Sequence, residues 1–151
     1  MKKYIFVVTC LFFMALHARA QSAEDSVKAV INELFAAMKN ADSKTLLTSF
    51  TDSAILQTIA EKSGSVSVQT ENIKQFADFI STQKQGDADE RITFNVVKTD
   101  GPLAIAWTPY KFYYKGQFNH CGTDSYQLVR INGVWKIQYI IDTRRKDNCR
   151  E

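Results

Sequence analysis

The sequence predicts an α+β domain in which helices come first and antiparallel strands follow. Up to Ile80, apolar residues recur every three or four positions, which is typical of amphipathic helices. From Gly86 onward the apolar residues alternate with polar ones, as they do in half-buried strands. Between the last two of these segments stands Asn132-Gly133, a dipeptide that marks a β-hairpin turn.

The first predicted helix carries one apolar stripe. Its members are Val27, Val30, Ile31, Leu34, Phe35 and Met38. We expect Ser22 to cap the N-terminus, with Asp25 three residues later as in a capping box. The helix should end near Asn40.

Two shorter helices and a strand are predicted next. The second helix should begin at Asp42 or Ser43. Its inner face consists of Leu46, Leu47 and Phe50. Residues 54–59 are predicted as a strand and residues 62–65 as a loop. Thr70 should cap a third helix. Its stripe consists of Ile73, Phe76, Ala77 and Ile80.

Antiparallel strands account for the rest of the chain. They are predicted over residues 92–98, 103–114, 118–131 and 134–141, with turns at 100–102, 115–116 and 132–133. Pro109 interrupts the second of these strands, and proline in a strand is tolerated only at an edge or a bulge.

The register of the last hairpin predicts which side chains face the helices. A two-residue loop pairs Ile131 with Val134, which sets Leu128 opposite Ile137 and Tyr126 opposite Tyr139. The more apolar parity marks the covered face, and it consists of Trp135, Ile137, Tyr139 and Ile141. The other parity, with Gln127, Ser125, Lys136 and Gln138, should face solvent or a partner.

This register turns Asp124 and His120 toward the helices, among aromatic residues. A carboxylate aimed at an apolar interior is costly unless it is paired or solvated, so Asp124 indicates a cavity. In a partly dry cavity its pKa would rise toward the range of a general base or acid. His120 lies roughly 13 Å along the strand, so the two would act on different parts of one ligand. The alternative is structural: Asp124 bonds a loop or a helix amide, and His120 stands in water at the rim.

The neighbouring strand supplies a second set of candidates. A two-residue loop at residues 115–116 would place Trp107 opposite Asp124 and Lys111 opposite His120, unless a bulge at Pro109 changes the count. We assign Trp107 to the pocket wall and leave Lys111 open. The other residues assigned to the wall are Phe35, Phe94, Tyr126 and Tyr139. Tyr110, Phe112 and Tyr114 have the opposite parity and are expected at an interface.

The N-terminal residues have the three parts of an export signal. Two lysines, Lys2 and Lys3, precede an apolar run over residues 4–16, and the small-residue triplet Ala18-Arg19-Ala20 follows. We expect cleavage before Gln21, which divides the chain into a signal peptide over 1–20 and one domain over 21–151. The apolar run is shorter than the roughly 20 residues that span a membrane, so we expect a periplasmic or secreted protein without a stable anchor.

Cleavage would also change the charge and the cysteine count. The chain has 19 basic and 16 acidic residues, and the signal removes three of the former and none of the latter. The remaining neutral domain gives no reason to expect nucleic-acid binding. Cys10 would leave as well, so that Cys121 and Cys149 form either a disulfide or two free thiols. No metal-ligand spacing is present, and no metal or cofactor is predicted.

The order of these segments resembles a known superfamily. The features are a long first helix, Asn40-Ala41-Asp42 leading through Leu46-Leu47 to residues 50–54, a third helix, and a closing sheet that ends in residues 133–137. This pattern is similar to the nuclear transport factor 2-like superfamily, which includes SnoaL-like cyclases and ketosteroid isomerases. The run from His120 to Asp124 most resembles its exported bacterial branch labelled putative lumazine-binding.

The resemblance implies a cone-shaped roll, cystatin-like, of three helices packed on a strongly curved antiparallel sheet, often in a homodimer. It implies a small, partly apolar ligand of unknown identity in the cone. The first alternative is a proton-transfer enzyme, such as an isomerase, cyclase or dehydratase, with Asp124 and His120 as catalytic residues. The second alternative is an interaction module that uses the outer sheet face, with Phe112 and Ile140 buried between subunits. The isomerases' first-helix tyrosine is absent, since the chain after residue 20 has no tyrosine before Tyr110.

Overall fold

Three helices cover one face of a seven-stranded mixed sheet in a computed structural model that describes residues 22–62 and 64–149. The helices are α1 (Ala23–Lys39), α2 (Ser43–Thr48) and α3 (Ile73–Ser81). The strands are β1 (Phe50–Lys62), β2 (Ser65–Glu71), β3 (Ala88–Ile92), β4 (Val96–Asp100), β5 (Leu103–Tyr114), β6 (Gln117–Ile131) and β7 (Val134–Arg145). Their order in the sheet is β2-β1-β7-β6-β5-β3, and β4 also pairs with β5. The α+β class and the helix-wrapped sheet are therefore confirmed.

The predicted export signal and its cleavage site lie outside the described residues. Within the described ranges, no helix is long and apolar enough to cross a membrane.

The caps of the helices fix where each begins. The Oγ of Ser22 accepts a hydrogen bond from the amide of Asp25 at 3.0 Å, as predicted, and Asp42 caps α2. Asn72 rather than Thr70 caps α3, because its side-chain oxygen accepts from the amides of two residues in the first turn. Thr70 instead belongs to β2, a strand that the sequence analysis missed. All seven residues of β2 are exposed, so burial imposes no pattern on its sequence.

The first strand joins the two halves of the chain. β1 is much longer than the predicted segment 54–59, and it begins at Phe50, which was assigned to the second helix. It pairs antiparallel with β2 and parallel with β7, with Ile55 aligned to Tyr139. The sheet is therefore antiparallel except at this one pairing.

The strand predicted over residues 92–98 is two strands, and Pro109 explains the break. β3 and β4 both pair with β5, on the same edge. Between them, the amide of Thr93 donates to the carbonyl of Pro109 and the amide of Asn95 donates to the carbonyl of Trp107. Because proline has no N–H, the gap between β3 and β4 leaves no donor missing, and β5 runs through Pro109 without interruption.

A bulge at Asn119 reverses the predicted faces of β5. Tyr113 pairs with Phe118, but Phe112 pairs with His120, so β6 holds one extra residue. The shift sets Thr108 opposite Asp124 and Lys111 opposite Cys121, and the predicted partners Trp107 and Lys111 are wrong. Since a one-residue shift moves every side chain to the other face, Trp107 is 46% exposed and points away from the helices.

The same bulge corrects the expected interface. Tyr110 is buried and Phe112 packs against the helix-covered core, so neither lies on the outer sheet face.

A second shift, between Gln127 and Leu128, changes the faces of β7. Ile131 pairs with Val134 and Leu128 with Ile137, as predicted. Beyond the shift, Tyr126 pairs with Ile140 instead of Tyr139. The covered residues of β7 are therefore Trp135, Ile137, Ile140 and Asp142. The expected places of Tyr139 and Ile141 on this face are wrong, and both are only half-buried.

A disulfide joins Cys121 to Cys149. β7 ends at Arg145, which is paired with Cys121, where the predicted register had Arg144. The chain then turns back through Asn148, whose φ is 49°, so that Cys149 reaches the buried Cys121. The C-terminal segment is thereby fixed to β6.

Gly122 provides a test of this sheet geometry. A Cβ at this position would overlap the carbonyl oxygen of Thr143 and lie 2.7 Å from Cε1 of Tyr110. We expect Gly122→Ala to lower the free energy of unfolding by at least about 3 kcal/mol, because backbone atoms must move. Gly116→Ala is the control, since its turn has open space and only the positive φ is strained, at about 1–2 kcal/mol. Equal losses in urea unfolding would contradict the close approach at Gly122.

Candidate functional site

A cavity of about 190 Å³ lies between the helices and the inner sheet face. The helices contribute only apolar side chains to its wall, from Leu34, Phe35, Met38, Phe76, Phe79 and Ile80. The strands contribute every polar one, from Glu71, Glu90, Tyr110, His120, Asp124, Tyr126, Asp142 and Arg144. The strands also contribute five apolar residues: Phe50, Leu56, Ala88, Phe112 and Ile140. The polar half of the cavity is therefore the part formed by the eight polar strand residues, and the rest of the wall is apolar.

Asp124 is buried in the polar half, at the middle of β6. Its Oδ2 accepts hydrogen bonds from the hydroxyl of Tyr126 at 3.0 Å and from that of Thr108 at 3.2 Å. Burial raises the pKa of Asp124 to about 7, the charge of Asp142 adds to this rise, and the two hydrogen bonds oppose it. Near neutral pH this carboxyl can therefore accept or release a proton.

Asp142 lies on the paired position of β7, directly beside Asp124. Its Oδ2 accepts from the hydroxyl of Tyr110 at 2.9 Å and from Nε of Arg144 at 2.8 Å. Its Oδ1 is buried and has no hydrogen-bond partner among the described residues. A buried polar atom of this kind is uncommon and calls for a partner.

Two further carboxylates face the same space. Glu90 is half-buried on β3, and burial followed by the charges of Asp124 and Asp142 raises its pKa well above the usual range. Glu71 is exposed at the edge of the cavity. Partial burial of its carboxyl raises its pKa, and the charge of Arg144 opposes part of this rise. The charge of Asp142 therefore disfavours ionisation of Glu71, Glu90 and Asp124.

The aromatic polar groups supply hydrogen bonds without charge. Burial raises the pKa values of Tyr110 and Tyr126 above 10, so both phenols stay protonated and donate to the two aspartates. Burial and the charge of Arg144 lower the pKa of His120 below 6.5, so its ring is mostly neutral at pH 7. The ring packs against Phe112, with centroids 5.1 Å apart.

The structure places some of the predicted site residues at the cavity and moves others away. Asp124, His120, Tyr126 and Phe35 line it. The remaining three do not: Trp107 is on the outer face, Tyr139 donates its hydroxyl to Gln57, and Phe94 packs against the core. The first two were misplaced by the two register shifts, which the expected loop lengths did not reveal.

The sequence analysis missed five residues of the polar half: Glu71, Glu90, Tyr110, Asp142 and Arg144. Tyr110 was assigned to the wrong face of its strand, and Asp142 lies beyond the predicted end of the last strand. Glu90 and Glu71 lie on strands that the prediction misplaced or missed. A signal did exist for Asp142, because it stands near Asp124 in either register of the hairpin.

Within the described ranges, no group of three or more His, Cys, Asp or Glu residues is arranged to hold a metal ion.

Solved structures with the same fold are numerous. An NTF2-like protein of unknown function from Shewanella baltica is 16% identical, with a TM-score of 0.63, over 81% of this chain and 93% of that one. One from Methylobacillus flagellatus is 18% identical, with a TM-score of 0.60, over 80% and 90%. A domain of unknown function with a cystatin-like fold from Nostoc punctiforme is 15% identical, with a TM-score of 0.63, over 85% and 82%.

No curated protein matches the chain. Residues 22–139, which span all three helices and most of the sheet, match the family described as "Putative lumazine-binding". The solved structures agree with this match in fold. The chain is a member of that family, with the nuclear transport factor 2-like fold.

Proposed function

We propose that this protein binds a small, partly apolar molecule in the cavity between its helices and its sheet. The observation that carries the proposal is the division of the wall into a polar part, formed by strand residues alone, and an apolar remainder that includes every helical residue. Small-molecule sites are commonly of this kind, largely apolar with a few converging polar groups that orient the ligand.

The volume indicates the size of the part of a ligand that the cavity can enclose. An apolar cavity of about 150 Å³ holds a benzene molecule. The 190 Å³ here therefore has room for a ring-sized molecule with a small substituent. The description of the family names lumazine, a flat heterocycle with a polar edge, which makes lumazine a first probe.

The proposal places this binding outside the cytoplasm. The export signal predicted over residues 1–20 supports that location, and so does the disulfide between Cys121 and Cys149, which persists in oxidising compartments.

Filling the cavity tests the binding proposal. Ala88 lines the cavity on β3 and is buried, so Ala88→Leu inserts a larger side chain into the ligand's space. In a thermal-shift screen of ring-sized compounds including lumazine, we expect the native protein to gain stability and the variant to lose at least roughly tenfold in affinity. Ala60→Leu is the control, because Ala60 is half-buried on β1 but does not line the cavity. Equal binding by both variants would place the ligand elsewhere.

A proton-transfer enzyme is the second candidate, and the buried carboxyl of Asp124 favours it. With a pKa of about 7, Asp124 suits a general base near neutral pH. His120, neutral and in the same wall, would be a polar partner for another part of the substrate.

The variant Asp124→Asn tests this candidate by turnover and by stability. A base at this position predicts loss of turnover and a native rate that rises with pH through about 7. Because the folded pKa lies above the ordinary value near 4, the native protein loses stability as pH rises from 4 through 7. The variant lacks this loss. The difference in free energy of unfolding, variant minus native, should therefore increase by at least roughly 1 kcal/mol between pH 4 and pH 8.

The control for the stability measurement is Asp52→Asn, an exposed carboxyl on β1. A pH-independent difference between native protein and Asp124→Asn would show that Asp124 titrates normally. That outcome would rule out Asp124 as a general base.

The homodimer expected from the superfamily remains a prediction. The version that buries Phe112 and Ile140 between subunits is wrong, because both line the cavity. The outer sheet face does expose Val96, Leu103, Ile105 and Trp107, each at least 40% accessible. Light scattering that gives twice the chain mass is the expected result, and a monomer mass would contradict it.

A further inference from the structure

Arg144 is the only arginine or lysine among the described residues that lines the cavity. Its side chain is 47% exposed, whereas Asp124 and Asp142 are buried. The guanidinium therefore lies at the mouth of the cavity, the part of the wall that is open to solvent, and the two aspartates lie deeper. A ligand group that enters from solvent can reach Arg144 without passing them.

A chain of hydrogen bonds fixes the orientation of Arg144. Gly122 lies between Tyr110 and Arg144 in the sheet, and because it has no side chain the ring of Tyr110 can cross it. The hydroxyl of Tyr110 donates to Oδ2 of Asp142 at 2.9 Å, and Nε of Arg144 donates to the same oxygen at 2.8 Å. The buried carboxylate of Asp142 therefore holds the guanidinium by its Nε alone.

The two terminal nitrogens of Arg144 are left for a ligand. They form no hydrogen bond with any residue in the part of the chain that the structure describes. The charge of Arg144 opposes the rise in the pKa of Glu71 at the edge of the cavity, but within the described ranges Arg144 forms its ion pair with Asp142 and none with Glu71. Two N–H groups on one planar edge match the two oxygens of a carboxylate.

A second cation lies on the same side of the cavity. His120 lines the wall, and the charges of Arg144 and Lys146 both add to the lowering of its pKa by burial. Lys146 is exposed and directly follows β7, in the segment that the disulfide fixes to β6. The positive charge near the mouth is therefore held in place by the fold.

The buried carboxyls do not exclude an anion. Asp142 is already paired with Arg144. Burial, followed by neighbouring negative charge, raises the pKa values of Asp124 and Glu90, so that both carry less than a full charge near neutral pH. A protonated carboxyl can donate a hydrogen bond to an anionic group instead of repelling it.

On the basis of the binding proposed above, we infer that the ligand is a small ring compound with a carboxylate, that its ring packs against the apolar part of the wall, and that Arg144 binds the carboxylate at the mouth of the cavity through its two terminal nitrogens.

Three probes of nearly equal shape test the inference. Benzoate is an anion, benzamide is neutral and benzamidinium is a cation, and all three carry the same ring. In calorimetry at pH 6 we expect benzoate to bind at least roughly tenfold more tightly than benzamide, because charge-assisted hydrogen bonds replace neutral ones. Benzamidinium should bind more weakly than either, since Arg144 repels it.

Variants of Arg144 test the assignment of the carboxylate to this residue. Arg144→Gln should reduce the ratio between the affinities for benzoate and benzamide to about threefold or less. Arg144→Lys keeps the charge but loses the planar pair of N–H groups, so its ratio should fall between those of the native protein and Arg144→Gln. If Arg144→Gln does not fold, Arg144→Lys replaces it, and a ratio equal to the native one would contradict the inference.

Arg91→Gln is the matched control. Arg91 also binds the aspartate two residues before it, Asp89, and its side chain is exposed, but it does not line the cavity. Its replacement should leave the ratio between benzoate and benzamide unchanged.

The pH dependence provides a second measurement on the native protein. An ordinary carboxylic acid stays ionised between pH 6 and pH 8. A bound anion favours protonated groups in the wall, so benzoate should bind more tightly as pH falls from 8 to 6 and should take up protons, whereas benzamide should change much less. The titratable and charged groups around Arg144 are Glu71 of β2, Glu90 of β3, Tyr110 of β5, His120 and Asp124 of β6, Asp142 of β7 and Lys146 after it.

Equal affinity for benzoate and benzamide would overturn the inference and leave the binding of small apolar molecules intact. Preference for benzamidinium would also overturn it, and so would a preference for benzoate that Arg144→Gln leaves unchanged. If none of the three probes binds, the inference fails as well, and the wider screen of ring compounds then decides separately whether the cavity binds anything.

Discussion

The register of β6 against its two neighbours determines the chemistry of this protein. One extra residue at Asn119 and one in β7 near Gln138 shift the pairing on either side of β6. Because side chains alternate along a strand, each shift moves a whole set of residues from one face to the other. Tyr110 and Asp142 join Asp124 at the cavity for this reason, and Trp107 leaves it.

The elements were more predictable than the site. Regular burial fixes the stripe of α1 and the parity of β6, and the Asn132-Gly133 turn fixes where the last hairpin begins. A bulge, in contrast, depends on contacts between distant segments and leaves no reliable local signal. The sequence therefore identified Asp124 and His120, on the strand whose own face was correct, and missed their partners on the strands across each shift.

The polar half of the cavity destabilises the fold. Burial of Glu90, Asp124 and Asp142 in one space costs desolvation and mutual repulsion, which raise the pKa values of Glu90 and Asp124. Hydrogen bonds donated by Tyr110, Tyr126, Thr108 and Arg144 offset only part of that cost, since Oδ1 of Asp142 has no donor among the described residues. Functional sites commonly contain such local conflicts, because the groups that bind a ligand are not at their own optimum without it.

The parallel pairing of β1 with β7 has a consequence for folding of the chain. β2 follows β1 directly and covers one of its edges, whereas the other edge is covered only when the distant β7 has joined the sheet. An uncovered strand edge is a template for pairing with another chain. The chain is therefore most open to such pairing before β7 is in place, and a truncation before β7 would leave that edge of β1 exposed.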